Sequence, residues 1–135
     1  MTDAADTSAI LAERCVPCHG GLPPATPEEE AELAPLIPDW TKKERNGVPR
    51  LVRTFRFRDY PDTLAFTQRV GELADMEDHH PTLLTEWGKV TVSWWTHAIR
   101  GLHRNDFLMA AKTDALAREM GTLPAAKGGK VPGGS

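Results

Sequence analysis

Long apolar runs are missing from this 135-residue chain. None approaches the roughly 18 consecutive apolar residues of a membrane-spanning helix, so no membrane partner is expected. Cysteine is scarce: two residues exclude a disulfide framework. A basic excess is missing too. Sixteen Lys and Arg stand against 19 Asp and Glu, for a formal net charge of −3 with neutral histidines. Bulk attraction to a phosphate backbone is thereby excluded, and nucleic acid is not an expected partner. Met1 to Arg14 shows no basic stretch followed by an apolar block, so the cytoplasm is the expected compartment. No internal repeat and no linker to a second domain is visible.

What remains is the composition of one globular domain, 40% hydrophobic and 26% charged. Five histidines are the largest adjustable charge, since protonating all of them would move the net charge from −3 to +2. Residues 8–14 read as a short helical turn before an irregular Gly- and Pro-rich loop. Thr26-Pro27-Glu28-Glu29 reads as cap, first helical position and capping-box acid, opening a helix that Pro35 weakens and Pro38 stops. Trp40–Arg45 is a weak strand, Asn46-Gly47 a hairpin turn, and Leu51–Phe57 a good strand with Arg53 as the odd member of its apolar side. A helix runs from Pro61-Asp62 to about Asp78 with Phe66, Val70, Leu73 and Ala74 on one stripe; Pro81 is expected to end it. Strands at 82–86 and 89–97 flank a turn at Trp87-Gly88, and a last helix covers about 104–120. The expected fold is a two-layer α+β domain, order α-β-β-α-β-β-α, with a four-stranded antiparallel sheet and three helices on one face. Residues 1–25 form an N-terminal extension, 26–120 the domain, and 121–135 a flexible tail.

Three histidines sit at element ends, where a rigid scaffold usually places its chemistry. His79 and His80 follow a helix, His97 ends a strand, and Asp106 lies in the first turn of the last helix. Imidazoles both give and take protons near neutral pH, and a carboxylate can orient one. A histidine is also commonly a plain surface or core residue. A three-histidine zinc site is disfavoured, because adjacent His79 and His80 point apart on extended backbone while zinc ligands converge. Cys15-Val16-Pro17-Cys18-His19 fits the C-x-x-C-H pattern of haem attachment, half of a zinc site, or a redox pair. Attachment of haem normally follows export, further zinc ligands are not evident, and the βαβ setting of a redox motif is missing. A structural extension is the preferred reading, with no metal and no cofactor.

The spacing Asp75-x-x-x-His79-His80-Pro81, then Trp87, Thr96-His97 and Asp106, resembles the pterin-4a-carbinolamine dehydratase family. The similarity spans most of residues 8–118, and Cys15-x-x-Cys18-x-Gly20-Gly21 is similar to an N-terminal extension of bacterial members. The resemblance implies loss of water from 4a-hydroxytetrahydropterin, giving quinonoid dihydropterin in tetrahydrobiopterin recycling, by general acid–base catalysis with no cofactor. It implies a catalytic set of His79, His80, His97 and Asp106, with Asp75, Pro81, Trp87 and Thr96 at the substrate-binding site, the first three as scaffold or pocket wall. It also implies a homodimer or homotetramer. Relatives with this fold also act as partner proteins, as a dimerisation cofactor of a transcription factor or an assembly factor for Rubisco, so a binding module is the alternative. Arg100-Gly101-Leu102-His103 stands where the family has Gly-Gly-Leu-Thr. His103 is not among the preferred caps, so Asn105 or a backbone group is expected to compensate.

Overall fold

In the computed structural model, which describes residues 7–17 and 20–123, two long helices lie against a four-stranded antiparallel sheet. The elements are α1 (Ser8–Ala12), α2 (Pro27–Leu33), β1 (Thr41–Arg45), β2 (Val48–Arg56), α3 (Tyr60–Glu77), β3 (Thr82–Glu86), β4 (Lys89–Trp94) and α4 (Arg104–Met120). The strand order is β1-β2-β4-β3. This is the α+β arrangement the sequence pattern predicts. None of its helices is long and apolar enough to cross a membrane among the described residues.

Local chemistry accounts for most of the element ends. Thr26 caps α2 by accepting the Glu29 N–H, and Glu29 reaches back to the Thr26 N–H. Asn46 and Gly47 both take positive φ, 52° and 77°, which a two-residue hairpin turn requires. That tight turn pairs Arg45 with Val48, so β2 starts three residues before the expected Leu51. Pro49 is tolerated there because β4 pairs with β2 only from Leu51 onward.

The covered sheet face carries Leu51, Phe55, Phe57, Val90, Val92 and Trp94, all buried. Phe66 of α3 is 4.9 Å from Phe55 and 5.1 Å from Phe57, ring centre to ring centre. Val70 and Ala74 continue that stripe, and Phe107, Met109, Ala110 and Ala111 of α4 complete the core. Arg53 points inward on the same face because Asp114 of α4 meets it at 2.6 Å. Trp40 Nε1 donates to the same carboxylate oxygen at 2.9 Å. Burial pushes the Asp114 carboxyl above its ordinary range, opposed by Trp40 and Arg53.

One boundary and the way two helix ends are made differ from expectation. The helix α3 stops before Pro81 can act, because Asp78 takes the left-handed conformation at φ 52°. The His79 N–H then bonds back to Ala74 O at 3.1 Å, closing the last turn and swinging His79 inward. Strand β4 ends at Trp94 and not at His97. Thr96 and Gly101 exchange backbone hydrogen bonds of 2.8 and 3.3 Å, folding residues 97–99 into a 3-10 turn. The third is His103, which does cap α4: its Nδ1 accepts the Asn105 N–H at 3.0 Å. An imidazole nitrogen serves as the cap acceptor here in place of a hydroxyl.

The segment read as an extension is bonded to α3 and α4. Ile10 joins the hydrophobic core. Glu13 makes a two-pronged pair with Arg104 at 2.8 and 2.9 Å, which holds its carboxyl below the usual range. Asn105 brackets Val16, accepting its N–H at 3.1 Å and donating to its carbonyl at 2.9 Å. Glu77 accepts the Cys15 N–H at 3.0 Å and pairs with Arg14 and Lys112. Burial alone would raise the Glu77 pKa, but these three donors together lower it. Cys18 and His19, like residues 124–135 of the expected tail, lie outside the described residues.

Candidate active site

A buried polar network is built where α3, β4 and α4 meet. His79 Nε2 lies 2.7 Å from Asp106 Oδ1. The other carboxylate oxygen accepts the Thr96 hydroxyl at 2.7 Å and the His103 N–H at 2.9 Å. Asp106 and Thr96 are wholly buried, and His79 is nearly so. Because a carboxylate only accepts, His79 Nε2 carries a hydrogen when Asp106 is ionised, which sets the tautomer. The imidazole lies parallel to Trp94, with ring centres 5.6 Å apart and planes 9° apart. Trp94 is itself fixed, its Nε1 donating to Thr113 Oγ1 at 3.1 Å.

The other two histidines are exposed. His80 Nε2 approaches Asp75 Oδ1 at 3.4 Å, with both side chains in solvent. Such a pair contributes little to stability and leaves the imidazole able to exchange protons with water. His97 lies in the 3-10 turn and stacks on Trp95, with ring centres 3.9 Å apart. Arg50 covers that indole ring, its Cζ 4.5 Å from the ring centre.

Of the residues singled out from the sequence, His79, Asp106 and Thr96 are therefore in direct contact. His80 and His97 each neighbour a member of that network along the chain. Pro81 follows His80 at the start of β3. Trp87 is placed elsewhere, exposed at the tip of the β3–β4 hairpin. It lies one five-residue strand, roughly 16 Å, from Pro81.

Sequence reasoning missed His103, which belongs to the network through its backbone and flanks it through its ring. Burial lowers its pKa, against the pull of Asp106 and Glu29. It also missed the two tryptophans. The alternation Val90, Val92, Trp94 against Thr91, Ser93, Trp95 was the available signal, since it sends adjacent indoles to opposite faces.

No group of three or more His, Cys, Asp or Glu could hold a metal ion among the described residues. Hollows of about 580 and 530 Å³ are lined by residues around Asp39 and Arg53 and contain none of the histidines. A groove of about 420 Å³ between α3 and β3 is lined in part by Asp75 and Leu83, beside His80.

The family model for pterin 4 alpha carbinolamine dehydratase matches residues 23–116. The chain is 59% identical over 114 residues to "Putative pterin-4-alpha-carbinolamine dehydratase 1" of Gloeobacter violaceus, covering 84% of this chain and 98% of the relative. It is 55% identical over 107 residues to the "Putative pterin-4-alpha-carbinolamine dehydratase" of Chlorobium luteolum, covering 79% and 94%. Among solved structures it is similar to a transcriptional coactivator/pterin dehydratase from Brucella melitensis. That likeness has a TM-score of 0.63 at 28% identity over 70% of this chain and 99% of the other. A pterin dehydratase-like protein identified as a RuBisCO assembly factor in the alpha-carboxysome matches with a TM-score of 0.51 at 26% identity, over 58% and 89%. With its sheet order, its His-His-Pro turn and a family match over most of its length, the chain belongs to the pterin 4-alpha-carbinolamine dehydratase family.

Proposed function

We propose that this chain catalyses the dehydration of 4a-hydroxytetrahydropterin to quinonoid dihydropterin, as a step in tetrahydrobiopterin recycling in the cytoplasm. The observation that carries the reading is the division of labour among three neighbouring histidines. One is buried and held by a carboxylate, and two are open to solvent. In the reaction a base removes the N5 proton, the N5 electron pair forms the C4a=N5 bond, and the C4a hydroxyl leaves as water after gaining a proton. The sum is redox-neutral, and two proton transfers are all that the catalyst must supply. His80 and His97, exposed imidazoles, are the groups suited to give and take those protons. His79, with Nε2 committed to Asp106, is suited to orient the pterin. Asp75 and Pro81 would shape the wall beside His80, and Thr96 holds Asp106. Trp87 can enter a site only from a second copy of the chain, which fits the homodimer or homotetramer included in this reading.

The test is steady-state dehydration of the 4a-hydroxypterin by the purified full chain, with His80→Ala beside it. The wild type should accelerate dehydration, and the variant should lose most of that rate, about 100-fold for one acid–base group. A wild-type rate equal to buffer would overturn the reading. The similarity to the carboxysomal assembly factor favours a second reading, a binding module for a protein partner, which that outcome would promote.

A further inference from the structure

We propose that Trp95 and Arg50 are positioning residues that fix the His97 imidazole for proton transfer, an inference that rests on the dehydratase reading. His97 needs such help. It is exposed, it sits in a three-residue 3-10 turn, and the turn has no side-chain cap. Its ring makes no hydrogen bond or ion pair among the described residues, and only its carbonyl is bonded, to the Arg100 N–H at 3.2 Å. An imidazole in that setting would sample several rotamers, whereas acid–base catalysis needs one.

Among the described residues, the ring contact that restrains it is aromatic. Trp95 and His97 stack at 3.9 Å with planes 26° apart. The Arg50 guanidinium also lies over the indole, at 4.5 Å. Arg50 belongs to β2, and Trp95 directly follows β4 one step beyond the Leu51↔Trp94 pair. The column therefore rests on β2 and the end of β4, while His97 lies two residues further along the loop.

Arg50 Nε and Trp95 Nε1 are buried and have no hydrogen-bond partner among the described residues. Arg50 also forms no salt bridge there, although it is a charged side chain on a sheet. Buried donors without acceptors are uncommon and concentrate at functional sites. A leucine at position 95 would cover the same strand with no orphaned donor. It would not give the imidazole a flat surface to lie on.

Two measurements test the proposal. The first is the NMR position of the His97 imidazole protons, assigned by their loss in His97→Gln. They should be displaced upfield by the Trp95 ring in the wild type and in Trp95→Phe, and return to ordinary positions in Trp95→Leu. The second is kinetics. Trp95→Leu should lower kcat about tenfold or more with KM changed less than twofold, and Trp95→Phe should restore most of the rate. Arg50→Gln should fall between them. In the His97→Gln background, Trp95→Leu should have no further effect, because it acts through His97. An absent upfield displacement, an unchanged kcat in Trp95→Leu, or multiplicative losses in the double variant would each overturn the proposal. A wild type with no dehydration activity overturns the dehydratase reading instead, while the NMR measurement still reports the stack.

Discussion

Two faces of one sheet hold a histidine each, and they hold them by different physics. On the covered face, His79 lies along Trp94 and is fixed by a carboxylate whose oxygens also serve Thr96 and His103. On the open face, His97 lies along Trp95, and among the described residues its ring is held by stacking. Hydrogen bonds are strong where water is excluded, and an unmet group there is costly. At the surface water competes for them, and a flat apolar contact restrains an imidazole without consuming its nitrogens. The difference teaches that adjacent residues such as Trp94 and Trp95 can support opposite requirements, a locked tautomer and an exchangeable proton.

The strongest way to break this comparison is Asp106→Ala. It strands the Thr96 hydroxyl, the His103 amide and His79 in a dry interior, so stability should fall by about 3 kcal/mol or more. By thermal denaturation that is a Tm lower by about 12 °C or more for a domain of this size. Next in size is the contrast between neighbours. His79→Ala should lose about 2 kcal/mol, because it removes a packed ring and unpairs a buried carboxylate. His80→Ala should stay within about 0.5 kcal/mol of wild type, although it is the variant expected to lose activity. Equal denaturation midpoints for the two would erase the distinction between a buried and an exposed histidine.

A third, smaller effect concerns pH. His103 is a neutral acceptor in the cap of α4, and burial lowers its pKa below the ordinary 6.5. The unfolded chain therefore takes up this proton first as pH falls. The associated stability is fully present above pH 6.5 and is lost as pH drops through the lowered value. His103→Thr keeps a side-chain cap without a titrating group. It should match wild type at pH 7.5 within about 1 kcal/mol and flatten the acid-side decline, read by denaturant titrations at several pH values. The smallest effect is a gain. Arg100 holds a left-handed conformation, φ 50°, which glycine adopts without a Cβ clash. Arg100→Gly should raise stability by up to about 1 kcal/mol, seen as a higher denaturation midpoint.

Much of this architecture was legible in the sequence, because its signals are local. Thr26-Pro27-Glu29, Asn46-Gly47 and the apolar stripe of α3 act within a few residues of themselves. Adjacent histidines before a proline marked the site for a similar reason, since an ending helix and a starting strand must turn there. The rest depended on groups far apart in the chain. Arg53 looked like an error on an apolar face until Asp114, 61 residues away, neutralised it. The cap role of His103 required the ring nitrogen to meet an amide two residues on, which its rank among capping residues does not convey. Nothing near Val16 announces Asn105, 89 residues later.

That last separation has a consequence for the order of assembly. The bonds that fasten residues 11–16 reach partners 62 to 101 positions further along. Each closes a long loop, whose entropy must be overcome before the contact is rewarded. The hairpins and the α3 turns need no such closure and can form early. On a ribosome, then, residues 14 and 15 can meet α3, but residues 11, 13 and 16 have no partner until α4 has been made. The full docking of residues 11–16 comes late, and it is a built-in report that α4 has already folded.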